Sequence, residues 1–292
     1  MRIDLHTHSD RSDGTDRPSE LVARAVSAGL DVLALTDHDT AVGWDEARAA
    51  ATEHGIGLVP GMEISCVHGG VGVHLLAYLL DPSYPPLAEE LRRVLDGRSA
   101  RLPATLERLR GLGVDITRDD VLAVSGSSAA TGRPHVADAL VAKGVVRDRT
   151  EAFDRFLAQG RPAYVRRYAA DLVEMIGLVT RAGGVSVLAN PWGRHSRRAL
   201  DVATLTTLTE AGLAGLEVEH QDHDRPTRAE LRAVTERLGL LRTGSSDFHG
   251  AGKLDCPLGA NTTDPEQFER LLAAAAASAG ASGRPTPQPV VP

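Results

Sequence analysis

His6 and His8 stand at i and i+2 directly after a short β-type run, so an extended chain turns both imidazoles to one face. A His-x-His pair alone is a weak sign, because isolated histidines are usually ordinary, partly buried polar groups. Here the same residue types recur in Ser12-Asp13-Gly14, Thr36-Asp37-His38, Gly61-Met62-Glu63, the lone His74, and Ser246-Asp247-Phe248-His249-Gly250. Imidazole and carboxylate without thiolate suit zinc, manganese or iron rather than a sulfur-bound cluster. The chemistry these groups suggest is hydrolysis with metal-activated water.

Such scattered residues need a scaffold to gather them. Short apolar runs at Ile3–Leu5, Val32–Leu35, Gly57–Val59, Val71–Leu79, Val185–Leu188, Gly215–Val218 and Leu240–Thr243 read as seven strands. Amphipathic stretches separate them: one opens at Pro18 and closes at Gly29, and others run over Asp45–His54, Asp171–Ala182, Asp201–Ala211 and Pro226–Leu238. This alternation predicts an α/β fold with a mainly parallel sheet. His6, Asp37-His38, Glu63, Asn190, Glu219-His220 and Asp247-His249 each follow a predicted strand, which in a β/α barrel is where the loops converge on one mouth. His74 instead lies within its strand.

Between residues 92 and 165 the rhythm breaks. Helical pieces at Leu87–Leu112, Arg118–Val124, Pro134–Lys143 and Thr150–Leu157 predict a helical insertion that caps the mouth. Residues 1–91 and 166–278 then form the barrel, and the proline-rich residues 279–292 are expected to be disordered.

Bulk properties narrow the partners. A chain of 292 residues can bury one full-sized core, built here mainly from Leu, Val and Ala because aromatics are 3%. The formal charge of −7 argues against wrapping a long nucleic-acid duplex, which calls for a basic face. A small phosphorylated substrate needs only a few local cations. Lys143 and Lys253 are the only lysines, and an arginine bias in so Ala- and Gly-rich a chain is weak evidence for phosphate binding. Cys66 and Cys256 form no disulfide framework, no apolar run is long enough for a membrane span, and the first strand leaves no room for a signal peptide. A cytoplasmic protein with free thiols is expected.

The order His-x-His, Ser-Asp-Gly, Thr-Asp-His, Gly-x-Glu, lone His, Ser-Asp-Phe-His resembles the PHP (polymerase and histidinol phosphatase) metallophosphoesterases, over roughly Met1–Tyr78 and Leu172–Gly259. The resemblance implies a distorted seven-stranded β/α (TIM-like) barrel holding two or three divalent ions, Mn²⁺, Zn²⁺ or Fe²⁺. It assigns His6, His8, Glu63 and Asp247 to a first ion. Glu63 would bridge to a second ion with His74 and the residue at Asn190, while Asp13, His38 and His249 would hold a third. The family's Ala-His-Pro histidine is here Asn190, a poorer donor; His195 lies near but at the wrong spacing for a direct replacement.

Gly132-Arg133-Pro134-His135 in the insertion resembles the subgroup acting on nucleoside 3′,5′-bisphosphates and short RNA 5′ ends. That likeness implies a small nucleotide substrate, with Arg133 and His135 on a second phosphate and Arg194 as a further clamp. A plain helix N-terminal role is the alternative for Arg133 and His135. His223, ahead of His220, is the expected leaving-group acid. Two other readings compete: a histidinol-phosphate phosphatase, for which a second anion site is superfluous, and a catalytically degenerate metal- or nucleotide-binding module marked by Asn190.

Overall fold

The computed structural model describes residues 1–126, 128–193, 196–253 and 255–291. Strands β1 (Ile3–Thr7), β2 (Val32–Leu35), β3 (Gly57–His68), β4 (Val71–Tyr78), β5 (Ala170–Asp171), β6 (Val185–Leu188), β7 (Gly215–Glu219) and β8 (Leu241–Gly244) join one sheet. Its order is β1-β2-β3-β4-β6-β7-β8, with the two-residue β5 beside β3. The seven-stranded path curls into a nearly closed barrel. A bridge between Thr7 and Phe248, just past β8, links the first and last strands.

Helices α1 (Pro18–Ser27), α2 (Trp44–His54), α7 (Leu172–Arg181), α8 (Val202–Glu210) and α9 (Arg225–Leu238) connect barrel strands, and α10 (Pro265–Ser282) follows β8. Their starts are written in aspartates. Asp171, Asp201 and Asp224 each accept the backbone N–H three residues on, satisfying a donor that the first helical turn leaves open. Gly55 and Gly239 end α2 and α9 in the left-handed conformation that glycine adopts without strain.

One face of the strands carries Leu33, Leu35, Leu58, Met62, Leu75, Leu188 and Leu216, packed against the surrounding helices. The opposite face carries Ile3, Leu5, Val32, Leu76, Tyr78, Val187 and Leu241, with Phe268 and Leu271 of α10 added. This second face is the barrel interior. Glu63 lies opposite Leu76 and Ser65 opposite His74 in the β3–β4 register, so all four share that interior face.

The sheet is less uniformly parallel than the sequence suggests. β4 runs antiparallel to both β3 and β6. The reason is the two-residue connection Gly69-Gly70, with φ values of 55° and 80°, which makes a hairpin and leaves no length for a crossover. β3 is also far longer than predicted, so Glu63 sits inside a strand rather than after one. The reversal of β4 explains His74, whose early position in a reversed strand is at the same barrel end as the carboxyl ends of β1 and β2.

The predicted helical interval contains α3 (Pro85–Gly111), α4 (Arg118–Ser125), α5 (Arg133–Ala142) and α6 (Arg149–Ala152), the last continuing as a π-helical turn over Phe153–Leu157. They share a separate apolar cluster that includes Leu109, Val121, Val136, Leu140 and Leu157. α10 continues to Ser282, and Val290 exchanges backbone hydrogen bonds with Leu58 at 3.0 and 2.9 Å. Arg284 pairs with Asp81 at 2.9 Å, and Arg48 donates to the Gln288 carbonyl at 2.9 Å. No described helix is long and apolar enough to cross a membrane, and Cys66 and Cys256 are both buried and unpaired.

Inside the barrel the Tyr78 hydroxyl donates to the Leu5 carbonyl at 2.8 Å, joining β4 to the non-adjacent β1. Tyr78→Phe removes that donor and leaves a buried carbonyl unpaired, so urea unfolding should show a loss of about 1–3 kcal/mol. An unchanged midpoint would mean that this bond does not help hold the barrel closed.

Candidate metal centre

A local irregularity in β1 aims its two histidines. Ile3 pairs with Val32 and Asp4 with Leu33, but Thr7 pairs with Leu35, so β1 places three residues where β2 places two. Strict alternation would put His6 and His8 on the face of Asp4. The extra residue instead turns them to the interior, where a β-bulge re-aims side chains in just this manner.

Four donor atoms meet there. His6 Nε2 and His8 Nε2 are 3.0 Å apart. His6 Nε2 lies 3.3 Å from Glu63 Oε2 and 3.5 Å from Asp247 Oδ1; the corresponding distances from His8 Nε2 are 3.3 and 3.4 Å. A cation with bonds of 2.0–2.2 Å in tetrahedral coordination has ligand atoms roughly 3.3–3.6 Å apart. The donor types and spacing therefore fit a divalent metal ion. The four residues are those that the family resemblance assigns to the first ion.

The neighbouring groups extend this centre. His74 Nδ1 is 2.7 Å from Glu63 Oε1, and His38 Nδ1 is 3.2 Å from Glu63 Oε2. Asp13 faces His249 Nε2 at 3.4 Å and His38 Nε2 at 3.6 Å. Three groups bring donor atoms within 4.8 Å of one another: His6, His8 and Asp247; His8, His38 and Glu63; His8, Asp13 and His249. His38 thus stands between the positions expected for the second and third ions. Asn190 is held by its backbone, with φ at 31° and its N–H donating to Glu217 Oε2 at 2.8 Å.

Loop geometry fixes Asp13. Asp37 accepts from Ser9 N–H at 2.8 Å and from the Ser9 and Ser12 hydroxyls, both at 2.6 Å. It orders the loop and does not bond a ligand histidine directly. A Cβ on Gly14 would run into the His8 carbonyl, so the turn after Asp13 requires glycine.

The electrostatics express the crowding. Burial opposes protonation of His8, but Asp247 and Glu63 outweigh it and raise its pKa to about 9. Burial likewise disfavours charge on His6, yet Glu217, Glu63 and Asp247 drive its pKa well above normal. Burial pushes the acids upward, but the surrounding imidazoles hold Glu63 and Asp13 well below the usual carboxylate range. For His38 burial wins over Glu63 and Asp13, and its pKa falls to about 3. A metal ion taken up by His6 and His8 must displace the protons these carboxylates favour, so binding releases protons.

The sequence reading missed Glu217. It is fully buried within β7, where its Oε1 lies 3.0 Å from His6 Nδ1 and accepts from the Ser245 hydroxyl. The proton on His6 Nδ1 is thereby fixed and Nε2 is left as the donor toward the centre. Its signal was a carboxylate at an alternating position inside an apolar strand. Glu219, noticed instead, pairs with Arg232 at 2.6 Å and Arg228 at 3.4 Å away from the centre.

The remaining expected residues divide. His220 Nδ1 accepts the Asp222 N–H at 3.1 Å, and its Nε2 lies 3.5 Å from Asp247 Oδ2, where it steadies that carboxylate. His223 donates from Nδ1 to the Val218 carbonyl at 3.0 Å, and its buried Nε2 has no partner among the described residues. Lys253, not singled out from sequence, lies 2.6 Å from Asp247 Oδ2. His135 Nδ1 accepts the Gly132 N–H at 3.1 Å, which is the helix N-terminal role. Arg133 donates to the Leu157 carbonyl at 3.1 Å and lies over the rings of Phe153 and Tyr164. Arg194 and His195 lie outside the described residues.

Comparison with known proteins agrees with this geometry. The PHP domain model matches residues 4–177. A 3′,5′-nucleoside bisphosphate phosphatase of Chromobacterium violaceum is 34% identical over 251 residues, covering 86% of this chain and 88% of that protein. A 5′-3′ exoribonuclease of Haemophilus influenzae is also 34% identical, over 85% of this chain and 90% of its own. A crystal structure from Bifidobacterium adolescentis, described as a metal-dependent phosphoesterase, superposes with a TM-score of 0.89 at 38% identity, over 93% of this chain and 96% of that one. With its motif order, its barrel and its clustered imidazoles and carboxylates, the chain belongs to the PHP domain family.

Proposed function

We propose that this PHP-family phosphoesterase removes the 3′-phosphate from nucleoside 3′,5′-bisphosphates, and that short RNA 5′ ends are related substrates. The observation that carries the reading is the placement of an arginine-bearing helical layer against the loop that holds Asp13. Ser128 donates to the Ser12 carbonyl at 2.6 Å, Ala129 N–H to the Arg11 carbonyl at 3.0 Å, and Arg149 to the Asp13 carbonyl at 3.1 Å. Residues 92–165 are accordingly read as a cap that sets substrate choice. A monophosphate such as histidinol phosphate has no use for cations beyond the metal centre. The kinship with a bisphosphate phosphatase and an exoribonuclease supports the same choice.

Two or three divalent ions held by His6, His8, Asp13, His38, Glu63, His74, Asp247 and His249 would supply an activated water and neutralise phosphoryl oxygens. The chain's own residues then have distinct tasks. Glu217 keeps the His6 proton on Nδ1, and the Asp37–Ser9–Ser12 network holds the Asp13 loop still. His220 and Lys253 steady the outer oxygen of Asp247. His223 Nε2 is fixed by the Nδ1 bond to Val218; once protonated, this nitrogen donates to the leaving oxygen.

Metal-stripped protein should release no phosphate from adenosine 3′,5′-bisphosphate, and Mn²⁺ should restore release. Reconstituted protein that ignores this compound yet hydrolyses histidinol phosphate would sink the substrate assignment. A working asparagine at position 190 predicts that Asn190→His changes kcat/KM by less than about threefold, well under the 1.4 kcal/mol of a tenfold effect. A rise from near zero would favour the degenerate-module reading.

A further inference from the structure

The loops that carry Asp13 and His249 meet with almost no space between them. Thr15 Oγ1 accepts the Ala251 N–H at 2.9 Å, and a Cβ on Gly250 would collide with the same oxygen. The Gly252 N–H donates to the His249 carbonyl at 3.2 Å, which closes a tight turn directly after that histidine.

The cap reaches this junction through Arg149, at the start of α6. Its Nη1 donates to the Asp13 carbonyl at 3.1 Å. A Cβ on Gly252 would collide with that same nitrogen, so the guanidinium lies flush against the glycine backbone. The other two nitrogens donate to Asp138 of α5, Nε to Oδ1 and Nη2 to Oδ2, each at 2.6 Å.

A guanidinium bonded through all three nitrogens is a fixed plane. The Arg149 side chain is only 15% exposed, and Asp138 cancels a charge that alone would repel a cation bound nearby. What remains is a neutralised spacer touching the Asp13 main chain and the His249 turn. Asp13 Oδ1 and His249 Nε2 stand 3.4 Å apart, the separation of two ligands on one ion. None of the proposed metal ligands lies in the cap, so its hold on them runs through these backbone contacts.

We propose that Arg149, locked by Asp138, is a positioning residue that sets the separation of Asp13 and His249 and thereby the affinity for the ion they share. The inference rests on the metal-centre reading above and gives the cap a task distinct from any contact with substrate. Ligands bind an ion tightly when outer contacts hold them at bonding distance, and losing one such contact costs about 10- to 100-fold in affinity.

The test is Mn²⁺ binding to the metal-stripped chain, read by chelator competition, with Asp13→Asn marking the equivalent that depends on Asp13. Arg149→Met should raise the Kd of that equivalent about 10- to 100-fold and leave the others within about twofold. Arg149→Lys keeps the cation but not the plane and should fall between. Gly252→Ala puts a methyl where the guanidinium lies and should weaken the same equivalent. Combined with Arg149→Ala it should add nothing, because the group it displaces is already gone. An unchanged Kd in Arg149→Met, an equal loss at every equivalent, or additive effects of Gly252→Ala and Arg149→Ala would each overturn the positioning role. If Asp13→Asn releases no ion, the metal assignment at Asp13 is what fails, and the role of Arg149 falls with it.

Discussion

Charge cancellation among buried side chains governs this molecule. Glu63, Asp13, Asp247 and Glu217 are buried together with His6, His8 and His38. Any of these ions alone would be prohibitive in a protein interior. They coexist because each carboxylate has an imidazole within hydrogen-bonding or ion-pair distance, and because divalent cations suit the whole set. The bulge in β1, the reversed β4 and the left-handed backbone at Asp247, with φ of 52°, all serve that packing. Strained conformations of this kind persist where the surrounding structure over-determines them.

Around the centre, a ring of supporting contacts decides which nitrogen or oxygen faces inward. Glu217 reads out the tautomer of His6 and also holds the backbone of Asn190. Asp4, fully buried, accepts the N–H groups of Ser246 and Gly259 at 3.0 and 2.9 Å. It ties the first strand to the loop that delivers Asp247. The arrangement of the barrel mouth and the closure of the barrel are thus one problem, solved by the same residues.

Much of this was legible in the residues. The imidazoles and carboxylates and their order stand out because such residues are rare inside apolar runs, and Asp171 and Asp201 mark helix starts within a residue or two. What stayed hidden depended on long-range pairing. Periodicity cannot tell a parallel strand from an antiparallel one, so the direction of β4 is not legible from it, although Gly69-Gly70 carries the hint. Glu217 was overlooked because Glu219, two residues on, looked equally good; only the register between β7 and its neighbours separates an inward carboxylate from an outward one. For the tail, composition reports the cost of ordering a segment and says nothing of a partner edge such as Leu58.

The hairpin between β3 and β4 has a kinetic consequence. Glu63 and His74, eleven residues apart, meet through a connection of two glycines. Hairpins of this sort zip within microseconds, whereas the parallel pairs must wait for their intervening helices to close long loops. A nascent chain of some eighty residues would already hold this corner of the centre, with the two strands of the hairpin as the template onto which later strands add.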